Sequence, residues 1–175
     1  MRFNAVMKHL CLHLLILLFA LPMLHGCQKF PENPNRPILP YPITIYPNKM
    51  EYQDLHTIGG WVYITAPVES TSRGIIVFHS PNSDNLNNEF IAYDRMPPNY
   101  PDACTDSEGN STRLVVDGGW VIDRCNNAYY NILNGQIIIN DEFDMMPNFP
   151  IDSVVVYPLI QYQTTFDGNM LTISN

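Results

Sequence analysis

The chain has 175 residues, with 46% hydrophobic residues and a formal net charge of −8 from 17 acidic and nine basic side chains. This length suits a single domain that can build a hydrophobic core of its own. The acidic balance argues against a nucleic-acid partner, which would require a basic surface, and against direct adhesion to anionic lipid headgroups.

The first residues have the pattern of an export signal. Arg2 and Lys8 precede an apolar run that extends from Leu10 to Leu24, and a positive start followed by such a run is typical of secretion. The run is shorter than the roughly 20 apolar residues that cross a bilayer as a helix, and Pro22 interrupts it. We therefore expect residues 1–26 to be a signal peptide.

The end of this segment predicts lipid modification. Leu24-His25-Gly26-Cys27 resembles a lipobox, in which the cysteine thiol receives diacylglycerol, although His25 stands where a small residue is usual. We expect Cys27 to be lipidated and the exported chain to be anchored through its acyl chains. The membrane is thus one partner, and the location is the cell envelope, at the periplasmic face or the outer-membrane surface.

A proline-rich segment follows the predicted lipidation site. Five prolines lie between Pro31 and Pro42. Proline fixes φ and removes the backbone donor, so the segment favours an extended conformation. We expect residues 27–42 to be a tether and residues 43–175 to be the domain; alternatively, the last part of the segment packs along the domain.

From Ile43 onward the sequence predicts β-strands. Short runs rich in β-branched and aromatic residues recur, and no stretch shows a sustained helical period. These runs are Trp61–Ile64, Ile75–Phe78, Phe90–Tyr93, Leu114–Val116, Trp120–Ile122, Ile137–Ile139, Val154–Val156 and Met170–Ile173. Asp117-Gly118, Asn134-Gly135 and Asp167-Gly168 supply the positive φ of tight hairpin turns. The pattern indicates an all-β fold, either a small antiparallel sandwich or a barrel.

Two cysteines remain for the exported domain. Cys11 lies in the signal and Cys27 is the lipidation site, which leaves Cys104 and Cys125. In an oxidising compartment this pair predicts a disulfide, which would contribute roughly 3 kcal/mol in the chain-entropy model. The alternatives are a pair of metal ligands or a redox-active dithiol, although the Cys-x-x-Cys spacing that lowers a thiol pKa is absent.

The order of segments resembles the Rieske ferredoxin fold, in a form found in exported lipoproteins of Bacteroidetes. The resemblance covers about residues 55–175 and implies a small antiparallel domain with two cluster-binding loops. Four parts of the sequence carry it: Gly59–Ile64 with Gly74–Phe78, Phe90–Arg95, Cys125–Gly135, and the closing hairpin from Pro158 to Asn175.

The same resemblance implies that the iron–sulfur cluster is absent. In the family each loop supplies one cysteine and one histidine, and His₂Cys₂ ligation holds a [2Fe–2S] cluster. Here Pro97 and Asn99 stand at the first pair of positions, and Cys125 with Asn126 or Ala128 at the second. Two cysteines with no nearby histidine also fall short of a zinc site. We therefore expect no metal and no cofactor.

No catalytic constellation is visible either. Gly-x-Ser-x-Gly is absent, and His56 and His79 lie outside both loops, where a half-buried hydrogen-bonding role is expected. The sequence therefore favours a non-enzymatic envelope lipoprotein that serves as a binding module for a partner such as another envelope protein. The alternative is a redox protein that cycles Cys104 and Cys125 or carries an atypical cluster.

Overall fold

The structure is a computed structural model that describes residues 32–81, 89–140, 147–149 and 155–175. Over these residues the chain forms short β-strands and one kinked 3-10 helix, which confirms the predicted all-β class. The elements are β1 (Ile43–Ile45), the 3-10 helix (Met50–His56), β2 (Trp61–Ile64), β3 (Ile75–His79), β4 (Phe90–Asp94), β5 (Val115–Asp117), β6 (Trp120–Asp123), β7 (Ala128–Asn131), β8 (Ile137–Ile138), β9 (Gln161–Phe166) and β10 (Leu171–Ser174). No helix in this described part is long and apolar enough to cross a membrane.

Six strands form a curled antiparallel sheet in the order β1-β10-β9-β4-β3-β2. In the centre of this sheet Ile75 pairs with Asp94 across β3 and β4, and Ala92 pairs with Tyr162 across β4 and β9. The last strand, β2, pairs with β3 on one side and is an edge of the sheet.

Both faces of the large sheet are buried at β3, because residues along this strand alternate between two cores. In β3, Ile75 and Val77 pack into a first core with β9 and β10. Ile76 and Phe78 pack into a second core with the smaller sheet. This double burial explains why β3 is a continuous apolar run in the sequence.

The smaller sheet has the order β5-β6-β7-β8 and is built from consecutive hairpins. The β5–β6 turn consists of Gly118 and Gly119, because Asp117 pairs directly with Trp120. Gly118 has a φ of 58°, a conformation that glycine adopts without a Cβ clash. The Asp-Gly signal therefore located this hairpin correctly.

The composition of the sequence did not predict the two polar strands β7 and β9. One predicted strand is absent over those of its residues that the structure describes. The sequences of β7 and β9 contain few β-branched apolar residues, and only the resemblance implied strands there. Conversely, Val155 and Val156 lie outside any strand, and Val154 is outside the described residues. The 3-10 helix was not predicted, because Leu55 is its one buried residue and no apolar period arises.

The domain extends back beyond its predicted start at residue 43. The compact unit begins at Asn33, whose side-chain amide donates to the carbonyl of Pro98 at 3.0 Å. Leu39 is buried, and its backbone exchanges two hydrogen bonds with the side chain of Asn175. The last part of the proline-rich segment therefore packs along the domain. Residues 27–31 of the predicted tether, which was to span residues 27–42, lie outside the described residues, and a tether there stays a prediction.

Candidate functional site

Three arginines meet at a cleft of about 240 Å³ beyond the end of β2. Arg73, Arg95 and Arg113 line it together with Tyr63 and the hydroxyl-bearing residues Thr65, Ser70 and Ser72. Only six lysines and arginines follow residue 32 in the sequence, so half of them gather here. In a chain with a net charge of −8, this concentrates positive charge at one place.

Backbone hydrogen bonds at three strand ends place the arginines side by side. Arg73 lies just before β3, Arg95 directly follows β4, and Arg113 lies just before β5. The amide of Arg95 donates to the carbonyl of Gly74 at 2.8 Å. The amide of Leu114 donates to the carbonyl of Arg95 at 2.8 Å. These hydrogen bonds hold the three arginines, and the connection between β2 and β3 supplies most of the remaining lining.

Arg95 lies at the centre of the cleft and is half-buried. Its guanidinium carbon is 3.7 Å from the centroid of the Tyr63 ring, and its Nε donates to the carbonyl of Leu114 at 3.1 Å. The Tyr63 hydroxyl accepts from the amide of Val116, which fixes the ring beneath the cation. Stacking on an aromatic face leaves the terminal nitrogens of a guanidinium able to donate to a ligand.

The charge on Arg95 is poorly compensated. Burial lowers the pKa of Arg95 most, the neighbouring charge of Arg113 lowers it further, and Tyr63 and Asp94 oppose these effects. The Asp94 carboxylate accepts instead from the amide of Met96 and from the hydroxyl of Tyr162, each at 2.6 Å. Among the described residues, no carboxylate forms an ion pair with Arg95 or Arg113.

Arg73 differs because its charge is already used to hold a loop. Its guanidinium donates to Asp102 at 2.6 Å and to the carbonyls of Pro101 and Thr112. These contacts close the long connection between β4 and β5 onto the cleft wall. A ligand in the cleft would therefore meet the guanidinium groups of Arg95 and Arg113, which form no ion pair among the described residues.

Gly74 makes room for the central arginine. Its φ of 110° is strained for any residue with a side chain. A Cβ at this position would stand 3.3 Å from Cδ of Arg95 and 3.2 Å from the carbonyl oxygen of Ile64. The glycine therefore lets the stem of Arg95 pass close to the backbone.

Cys104 and Cys125 form a disulfide, as predicted. The bond links the β4–β5 connection to the β6–β7 turn, with 5.9 Å between the two Cα atoms. Buried Asp123 shapes that turn by accepting from the amides of Cys125 and Asn126 and from the side chain of Asn126. The bond thus ties together the two loops that the family resemblance equates with cluster loops.

The residues that the predicted resemblance places at cluster-ligand positions do not offer the ligands of an iron–sulfur centre. Pro97 is buried and has no donor atom. The Asn99 amide is committed to the Tyr130 hydroxyl and to the backbone of Tyr157. Cys125 is in the disulfide, and neither candidate for the fourth position, Asn126 or Ala128, can replace the missing histidine.

The two histidines in the described residues, His56 and His79, are hydrogen-bonded to backbone carbonyls. Nδ1 of His79 lies 2.7 Å from the carbonyl oxygen of Leu55, and its Nε2 lies 3.6 Å from Glu89. His56 contacts the carbonyl of Pro47 at 3.0 Å. Within the described ranges, no group of three or more histidine, cysteine, aspartate or glutamate residues could hold a metal.

The arginine cleft was not predicted from the sequence. The three arginines are far apart in the chain and form no motif; the one available signal was how few basic residues the domain has. Cys27 lies outside the described residues, so its lipidation stays a prediction. Comparisons of the chain with protein-family models, curated proteins and solved structures found no significant match.

Proposed function

We propose that the chain is a non-enzymatic, lipid-anchored protein of the cell envelope whose domain binds an anionic group of a partner. The observation that carries this proposal is the pair Arg95 and Arg113, which line the cleft and form no ion pair among the described residues. Guanidinium groups match carboxylate and phosphate geometry, and a partly desolvated site strengthens the hydrogen bonds that they donate.

We further propose that the domain is related to Rieske ferredoxins and has no cluster. The four segments that carry the resemblance form the β2–β3 hairpin, β4 with the start of the following loop, β7 with its flanking turns, and the β9–β10 hairpin. The disulfide between the two corresponding loops supports the idea that a covalent bond now supplies the link that a metal centre would otherwise provide.

Binding at the cleft is tested by titrating the protein with glutarate and with inorganic phosphate. Arg113→Gln removes an exposed charge that has no ion-pair partner among the described residues, so the fold should persist. We expect this variant to bind about tenfold more weakly, the equivalent of one charge-assisted hydrogen bond. Arg124→Gln, also exposed but outside the cleft, should bind as the unchanged protein does. Equal losses in both variants would contradict a specific site.

The anchor is tested by metabolic labelling with a palmitate analogue in the native type of host. The full chain should acquire the label, and Cys27→Ser should not, because the thiol is the attachment point. A label that persists in Cys27→Ser, or that never appears in the unchanged chain, would contradict the lipoprotein assignment.

The redox alternative has one observation in its favour, the bond between Cys104 and Cys125. Structural disulfides of exported proteins have reduction potentials below about −300 mV. We expect this bond to fall in that range. A substantially higher potential, with reversible cycling, would favour electron transfer through the cysteines.

A further inference from the structure

The free edge of β2 has backbone groups that point away from the sheet. Gly59 and Gly60 together oppose His79, with the Gly59 amide donating to the His79 carbonyl and the His79 amide donating to the Gly60 carbonyl. Hydrogen-bonded positions alternate along an antiparallel pair. The N–H and C=O groups of Trp61 and Tyr63 therefore face outward, and in the described part of the chain no neighbouring strand pairs with them.

A groove of about 680 Å³ runs along this edge. One wall is the backbone from Gly59 to Tyr63, and the other consists of Gln53, Asp54 and Thr57 from the end of the 3-10 helix and the turn after it. The two glycines contribute no side chain to the groove. Gly60 packs closely against the backbone of Asp54 and Thr57, so the part of the edge that an extended chain could reach for hydrogen bonding is Trp61 to Tyr63.

The groove and the arginine cleft are neighbours, because Tyr63 lines both. The charges at the two ends have opposite sign: Asp54 lies beside the start of β2, and Arg95 and Arg113 lie beyond its end. An extended ligand would consequently be favoured with a carboxylate at the arginine end and no negative charge near Asp54.

We propose that the occupant of this surface is an extended peptide segment of a partner protein, which adds as a strand to β2 and places an acidic side chain in the arginine cleft. This inference rests on the proposed anion-binding function and names the class of partner. Backbone hydrogen bonds to Trp61 and Tyr63 would supply affinity, and the arginines would select an acidic residue and fix the register.

The test uses the lipid-anchored protein in non-ionic detergent and short capped peptides of alternating valine and threonine. One peptide carries a glutamate at its amino end and the other at its carboxyl end, because the direction of the added strand is open. We expect one of the two to bind, and replacement of its glutamate by glutamine to weaken binding about tenfold. Arg113→Gln should produce the same loss, whereas Arg124→Gln should not.

Backbone pairing is tested by methylating every second amide nitrogen of the binding peptide. There are two such sets of alternate amides. Methyl groups on the set that faces β2 should abolish binding, and methyl groups on the set that faces away should leave it intact. Bound peptide should also slow hydrogen exchange at the amides of Trp61 and Tyr63 at least tenfold. The amides of Val62 and Ile64, which face β3, serve as the internal control.

Three results would overturn the peptide proposal. The two methylated peptides could bind equally, exchange at Trp61 and Tyr63 could stay unchanged, or glutarate or phosphate could bind while neither peptide does. In each case the anion site would stand without the strand. If neither the peptides nor glutarate and phosphate bind, the proposed function fails together with the inference.

Discussion

A buried polar side chain, Asp94, helps to position the arginine cleft. Asp94 is fully buried at the end of β4 and accepts hydrogen bonds from Met96 and Tyr162. Its neighbour in sequence, Arg95, turns into the cleft. A buried carboxylate is tolerated only when its oxygens have donors, so Asp94 fixes the point from which the arginine projects.

Removal of the Tyr162 hydroxyl should destabilise the domain. Burial raises the pKa of Tyr162, and the charge of Asp94 raises it further, so the hydroxyl stays protonated and donates. Tyr162→Phe leaves Oδ2 of Asp94 without this donor, and we expect the free energy of unfolding to fall by about 2–3 kcal/mol. Urea denaturation measures the loss. Tyr41→Phe, at an exposed position, should change stability by less than about 0.5 kcal/mol; equal effects would contradict the role of the buried contact.

Asp123 should make stability depend on pH. Burial raises the pKa of Asp123 above its ordinary value of 3.8, although the hydrogen bonds from Asn126 and Cys125 oppose the shift. The pKa of Asp123 is higher in the folded than in the unfolded state. The stabilisation that the protonated carboxyl contributes is therefore complete below pH 3.8 and is lost as pH rises through the raised pKa. The free energy of unfolding of the unchanged protein minus that of Asp123→Asn should therefore decrease as pH rises. Denaturation series at several pH values above 3.8 measure it, and a constant difference would show that the pKa is not raised.

At the scale of elements, hairpin turns and strand edges do most to arrange the site. The β2–β3 hairpin has the two-glycine bulge opposite His79 at its open end, and the loop that connects its strands lines the cleft. The β5–β6 hairpin presents Val116, whose amide fixes the Tyr63 ring. A change in either turn would thus shift the residues that support Arg95.

The two glycines of the β5–β6 turn should respond differently to alanine. Gly118 has a φ of 58°, whereas Gly119 is outside the positive-φ region, and a Cβ at either position would meet nothing within 4 Å. We expect Gly118→Ala to cost about 1 kcal/mol because alanine disfavours that conformation, and Gly119→Ala to be near neutral. Thermal and urea unfolding of the two variants provide the comparison. If both variants lost the same stability, backbone conformation would not be the cause.

For the whole molecule, long-range links compensate for short strands and long connections. The two sheets share the second core, and the disulfide ties the β4–β5 connection to the small sheet. The residues from Asn33 onward add a further link by packing against the C-terminus through Leu39 and Asn175. These contacts join parts of the chain that are distant in sequence.

Loss of the disulfide should lower stability without abolishing the fold. The bond closes a loop with a sequence separation of 21, for which the chain-entropy model gives about 3 kcal/mol. We expect the Cys104→Ser, Cys125→Ser double variant to unfold at correspondingly lower urea. Reductant should shift the unchanged protein to the same midpoint and leave the double variant unaffected. A shift below about 1 kcal/mol would show that the two loops are held by other contacts.

The sequence by itself determined the all-β class, most strand positions, three hairpin turns and the pairing of the two remaining cysteines. Local rules suffice for these features, because alternation, β-branched composition and Asp-Gly or Asn-Gly dipeptides act over a few residues. The polar strands β7 and β9 and the start of the domain at Asn33 depend on partners elsewhere in the chain. The arginine cleft was decided only by tertiary structure, since strand pairing brings together Arg73, Arg95 and Arg113, which no local pattern connects.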